Sequence, residues 1–170
     1  FATFAPKIYQ HCATNLQKIL DKYPDCQQPL DNTIFPALTF NLGPQSVTWG
    51  HVDSQNAAQG FCPVNSAGKY DPKRGGHMVL LDFNLIIEFP PGSTILLPSS
   101  IVRHGNTPIA DHETRYSFTM FVPGPLLRWV HHGFKPAGRL SKKQQAKLYG
   151  EGNQQWEEAL NMFSKVNELE

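Results

Sequence analysis

Four residues of this chain have types and spacing that can do chemistry: His51, Asp53, His104 and Arg115. His51 and Asp53 flank Val52 at the end of an extended run, where the two-residue repeat of a strand points both side chains the same way. His104 follows 51 residues after Asp53 and closes another strand-like run. Two imidazoles and one carboxylate on rigid strands can occupy one face of an octahedral Fe(II), leaving three positions for substrate, water or oxygen. Arg115 comes eleven residues after His104, beyond a turn at 106–108, and shares a strand face with Ser117. A guanidinium fork beside a hydroxyl suits the distal carboxylate of a dicarboxylate. The cosubstrate so implied is 2-oxoglutarate, with its keto-acid end on the iron.

The plain alternative is a structural His51–Asp53 pair, since HxD occurs by chance in many chains. Order, spacing and strand context together favour the metal site. His11, His77 and His112 lack a carboxylate at ligand spacing, and His131-His132 reads as an exposed turn.

These residues need a scaffold. Residues 6–23 carry Ile8, Cys12, Leu16, Ile19 and Leu20 at three- and four-residue steps, an amphipathic helix ended by Pro24. Residues 37–42 and 46–51 read as extended, and 54–75, rich in Gly, Asn, Gln and Pro, as a long loop. Short strands follow at 76–83, 85–89, 94–97, 100–104 and 114–122, separated by turn formers. From Ser141 a helical pattern returns, broken near Gly150 and Gly152. The expected fold is α+β, mainly β, in one domain: an N-terminal helix and loop (1–36), a β core (37–136) and a helical tail (137–170).

With 170 residues, 40% of them apolar and 17% charged, the chain is too apolar for disorder, and its 13 Gly and 14 Pro are too many for a helical bundle. A net charge of +1 excludes a strongly basic surface for undirected DNA binding. No apolar run reaches the length of a membrane span, so no membrane is expected as a partner. Cys12, Cys26 and Cys62 form no zinc-ribbon spacing, and the odd count favours a reducing, intracellular compartment, nuclear or cytoplasmic. A Cys12–Cys26 bridge stays open for a secreted protein. The chain opens at Phe1 without Met, as a processed form or fragment would, and no signal or transit peptide is legible.

The runs His51-Val52-Asp53-Ser54-Gln55-Asn56, Gly75-Gly76-His77-Met78-Val79, Phe89-Pro90-Pro91-Gly92, His104-Gly105-Asn106 and Arg115-Tyr116-Ser117 resemble, in that order, those of Fe(II)/2-oxoglutarate dioxygenases. They are most similar to the fungal (basidiomycete) branch of the TET/J-binding-protein group, over roughly residues 38–134. The resemblance implies a double-stranded β-helix of the jelly-roll or cupin kind. It implies iron on His51, Asp53 and His104, 2-oxoglutarate on Arg115, and hydroxylation of a methylated base in DNA or RNA. Asn56 occupies the position that helps hold the target base, while Val52 replaces the Arg common in relatives.

A base modified inside a duplex must be extruded, stacked and read at its polar edge. Phe61, Tyr70, Lys69, Lys73 and Arg74 sit in or beside the loop after HxD, and the tail adds Lys135, Arg139, Lys142, Lys143 and Lys147. Trp129 and Phe134 read as core. Two other classes fit the same residues: a small toxin acting on ribosomal RNA by metal-free acid–base chemistry, as an N-glycosidase or ribonuclease, and a non-catalytic β-barrel binding module.

Overall fold

The computed structural model describes residues 1–169. Helix α1 (Pro6–Lys22) starts on a proline, where the missing N–H is no loss, and turns Ile8, Cys12 and Leu16 inward at four-residue steps. Seven strands follow: β1 (Ala37–Asn41), β2 (Cys62–Lys69), β3 (Met78–Leu80), β4 (Leu85–Ile87), β5 (Thr94–Leu97), β6 (His104–Asn106) and β7 (Thr114–Phe121). They pair antiparallel into a sheet of order β1-β7-β2-β5 and a smaller one of order β4-β3-β6. Thr39, Arg115 and Ser117 of the first sheet and Met78, His104 and Asn106 of the second line one cavity, so the sheets face each other across it.

Met78 also joins Leu80, Phe89, Leu97 and Val102 in an apolar core. A second core packs Ile8 and Cys12 of α1 against Ile34, Phe35, Ala57 and Val122, with Phe163 of the tail at its margin. The result is α+β, a double-stranded β-helix with helices at both ends of the chain, as expected. No helix of the described residues is long and apolar enough to cross a membrane.

Four elements differ from expectation. The stretch 54–75 is not one loop, because β2 runs through it at the heart of the larger sheet, between β7 and β5. Its turn-forming composition hides a strand whose ladder bonds come from partners distant in sequence. Pro63 is tolerated because β7 pairs with β2 only from Val64 onward. The strand expected at 100–104 shrinks to β6, since the N–H groups of Ile101 and Val102 both turn back onto Pro98 O. The segment 46–51 is extended but joins no ladder, being flanked by isolated bridges at Gln45–Arg115 and His51–His104. Finally, 124–131 forms helix α2 (Gly124–His131), masked in the sequence by its Pro-Gly-Pro start. The tail breaks between helices α3 (Lys142–Gly150) and α4 (Gly152–Leu160), as expected.

Gly68 lets β2 and β7 meet. Its φ is +120°, and a Cβ there would lie 2.3 Å from the Thr114 carbonyl oxygen. Gly68→Ala is expected to lower stability by about 1–3 kcal/mol in urea unfolding. Gly138→Ala, whose methyl meets open space, should stay within about 0.5 kcal/mol of the parent.

Candidate metal centre

The centre is built on the extended segment that crosses from one sheet to the other. At its start Arg115 N–H donates to Pro44 O (2.7 Å) and Ser46 N–H to Arg115 O (3.2 Å), which ties it to β7. Midway, Thr48 N–H donates to Asn106 Oδ1 (2.8 Å) and Asn106 N–H to Thr48 O (3.0 Å). At its end His51 and His104 exchange both backbone bonds, at 3.0 and 2.9 Å. Gly105 allows this approach, since a Cβ there would stand 2.8 Å from Thr48 O. Asp53 is then fixed by its N–H donating to Ser99 O, 2.9 Å away.

This brings His51, Asp53 and His104 together, one ligand atom from each lying within 4.8 Å of the others. His51 Nε2 is 3.3 Å from Asp53 Oδ1, and the imidazole centroids are 4.5 Å apart. Each imidazole has Nδ1 2.9 Å from a backbone carbonyl, Trp49 O for His51 and Val102 O for His104. A carbonyl only accepts, so each Nδ1 carries a hydrogen and Nε2 is the ring nitrogen left for other partners, that of His51 facing the Asp53 carboxylate. Burial pushes the His104 pKa below its ordinary value, against the pull of the Val102 carbonyl, and the neighbouring His51 adds to the lowering. The ring is therefore neutral near pH 7, the form that ligates a metal. Two imidazole nitrogens and a carboxylate oxygen within 4.8 Å of one another form a donor set that fits Fe(II).

Arg115 lies in the same cavity, which has a volume of about 290 Å³. Its side chain is 2% exposed. Nη1 donates to Ser46 O at 2.9 Å, while Nε, fully buried, has no partner. Among the described residues no carboxylate forms an ion pair with it. Burial lowers its pKa, and the Tyr70 hydroxyl opposes that shift. A buried guanidinium with an orphaned N–H is costly unless an anion satisfies it. Ser117, two residues along β7, lines the cavity beside it and accepts from Asn41 Nδ2 at 3.0 Å.

Asn56 also lines the cavity. Its Nδ2 lies 3.3 Å from each of Asp53 Oδ2, Cys62 Sγ and Ser99 Oγ, so two hydrogens serve three acceptors. The amide is turned onto the Asp53 carboxylate and its neighbours. Cys62 and Ser99, linked by a 3.0 Å Ser99 Oγ–H donation to sulfur, complete this cluster and had no signal in the sequence. They are small side chains on distant segments that meet only when β2 and the 98–102 turn close.

Other expected contacts fall elsewhere. Tyr70 is buried, donating to Phe89 O and accepting from Ser66 Oγ, and Phe61 packs against Phe1 and Phe163. Neither ring is free to stack on a base. Trp129 stacks on Tyr23 and meets Phe134 edge-on, but both rings are half-buried and lie outside the two apolar cores, a surface cluster where core was expected.

No family model matches the chain, nor does any curated protein sequence. Among solved structures it is similar to NgTET1 in complex with 5mC DNA, with TM-score 0.52 and 17% identity over 82% of this chain and 55% of that one. The chain thus spans about half the length of NgTET1. A viral collagen prolyl hydroxylase from Paramecium bursaria Chlorella virus-1, as its 2OG complex, aligns at TM-score 0.34 and 12% identity over 63% of this chain and 68% of that one. The likeness to NgTET1 establishes the fold.

All three cysteines are free thiols, Cys12 and Cys62 buried and Cys26 exposed. Burial raises the pKa of Cys12 and of Cys62 to about 11. A disulfide reagent at pH 8 should therefore modify one thiol promptly and the other two only on unfolding, because the thiolate is the nucleophile. Mass spectrometry of the modified peptide should place the prompt label on Cys26.

Proposed function

We propose that this chain is an Fe(II)- and 2-oxoglutarate-dependent oxygenase that hydroxylates a methylated base in nucleic acid. The observation that carries the reading is the shared cavity. Two imidazole nitrogens and a carboxylate lie within 4.8 Å of one another in it, and a buried guanidinium with an orphaned N–H lines the same cavity. His51, Asp53 and His104 would hold the iron, while Arg115 and Ser117 would bind the distal carboxylate of 2-oxoglutarate. That carboxylate would satisfy Arg115 Nε. When bound, iron and 2-oxoglutarate supply O₂-dependent oxidation of a C–H bond, with 2-oxoglutarate leaving as succinate and CO₂.

The residues around the site have distinct tasks in this reading. The carbonyls of Trp49 and Val102 hold the two imidazoles in the ligating tautomer. Asn56 holds the Asp53 carboxylate and fixes which oxygen faces the metal. Thr119 and Phe121 of β7 also line the cavity. Support for a nucleic-acid substrate comes from the order of the motifs and from NgTET1, whose solved complex holds 5mC DNA. The motifs favour the fungal branch of the TET/J-binding-protein group, and the cysteine usage favours an intracellular location.

The test is an anaerobic Fe(II) titration with 2-oxoglutarate, following the visible charge-transfer band of the chelate. The parent should develop the band and His104→Ala should lose it. Arg115→Ala should need about ten- to a hundredfold more 2-oxoglutarate, the worth of a lost charge-assisted contact. A folded parent that shows no band overturns the oxygenase reading. Succinate release coupled to methylated, but not unmethylated, oligonucleotide would then identify the substrate.

A further inference from the structure

We infer that the groove between α1 and the C-terminal helices is the seat of the nucleic-acid strand that brings the base to the metal centre. This inference rests on the nucleic-acid reading above and assigns that substrate a surface. The groove is large, about 1590 Å³, and is walled by α1, the loop after Asp53, α2, α3 and α4. It shares one lining residue, Asn56, with the candidate metal cavity.

Charge selects the occupant. Lys7, Lys18 and Arg128 line the groove, whereas Glu158 is the sole lining carboxylate among the described residues. That excess of cations is concentrated on a chain whose net charge is only +1. Lys7 has an exposed ion pair with Glu168 at 3.4 Å, a weak tie that phosphate can replace. Lys18 and Arg128 have no ion-pair partner among the described residues. Arg128 stands near Asn56, the residue the two linings share. Its Nη1 lies 3.6 Å from the Cβ position of Gly124, and that position lies 3.4 Å from Asn56 O.

Aromatic faces supply the second element. Tyr149 and Trp156 line the groove at 93% and 56% exposure, and neither pairs with another ring among the described residues. Large exposed aromatics beside unpaired cations form the stacking-plus-phosphate surface that tracks a single strand. Side-chain amides such as Asn15, Gln59 and Gln155 add donors and acceptors for base and sugar edges. An acidic peptide would use the cations but has no counterpart for the aromatic faces.

The experiment measures anisotropy of a short fluorescein-labelled single-stranded oligonucleotide across a salt series. Lys18→Glu/Arg128→Glu should weaken binding at least tenfold and flatten the log K against log salt slope by about 1.4, two phosphate contacts at ~0.7 each. Tyr149→Ala/Trp156→Ala should weaken it about tenfold with little change in slope. Lys142→Glu/Lys143→Glu makes the same change in net charge on exposed α3 residues outside the groove lining, and should bind within about threefold of the parent. The Fe(II)–2-oxoglutarate band, measured in each variant, reports an intact metal cavity. If the parent binds and the groove variants match it, or the α3 control weakens binding equally, the groove assignment is overturned and the nucleic-acid reading stands. If the parent binds no oligonucleotide, both fall. Displacement of the oligonucleotide by poly-glutamate at equal charge concentration would overturn the choice of nucleic acid over acidic peptide.

Discussion

The reciprocal backbone bonds between His51 and His104 are the constraint on which the site depends. The segment 46–51 leaves the larger sheet at Arg115 and must end on the smaller one. There it meets β6, an edge strand whose other side is paired with β3. Pairing His51 with His104 satisfies two polar groups on each residue and places the imidazoles side by side. The same pairing leaves the Trp49 and Val102 carbonyls each beside an Nδ1. The pairing of the two imidazoles and their Nδ1–H tautomer thus follow from backbone contacts of the fold.

A second dependency is electrostatic. Arg115 is held in β7 with one donor on Ser46 O and another orphaned, a state that costs stability in an isolated chain. Proteins tolerate such groups where an anion completes them in use. The crossing segment is tied to Arg115 by its own backbone, so the His51, Asp53 and His104 cluster and the Arg115 guanidinium are attached to one hydrogen-bonded run. In the proposed reading, that run would set the spacing between the residues that hold the metal and the one that holds the distal carboxylate.

What could be read from the sequence was whatever local geometry encodes. His51 and Asp53 share a face because a strand has period two, and Arg115 and Ser117 line the cavity together for the same reason. Helix α1 was legible from its four-residue steps and its prolines. β2 was not, since Cys62-Pro63-Val64-Asn65-Ser66-Ala67-Gly68-Lys69 has loop composition and becomes a strand only between two partners. Tyr70 looked like a loop aromatic for the same reason, although its ring packs on Gly76. Cys62 and Ser99 had no pattern at all, because their place beside Asp53 exists only in the closed barrel. The carbonyl of Val102 became available to His104 through a turn that the sequence suggested was strand.

Asn56 belongs to both the metal cavity and the helical groove, and its amide has fewer hydrogens than acceptors. That makes it a point of thermodynamic linkage. If an occupant of the groove drew the amide to itself, it would take a hydrogen bond from the Asp53 carboxylate and change the affinity of the proposed metal site by some factor. Reciprocity would then require that filling that site change the affinity of the occupant by the same factor. Such coupling would need no moving domain; a single side-chain amide with too few protons would carry it.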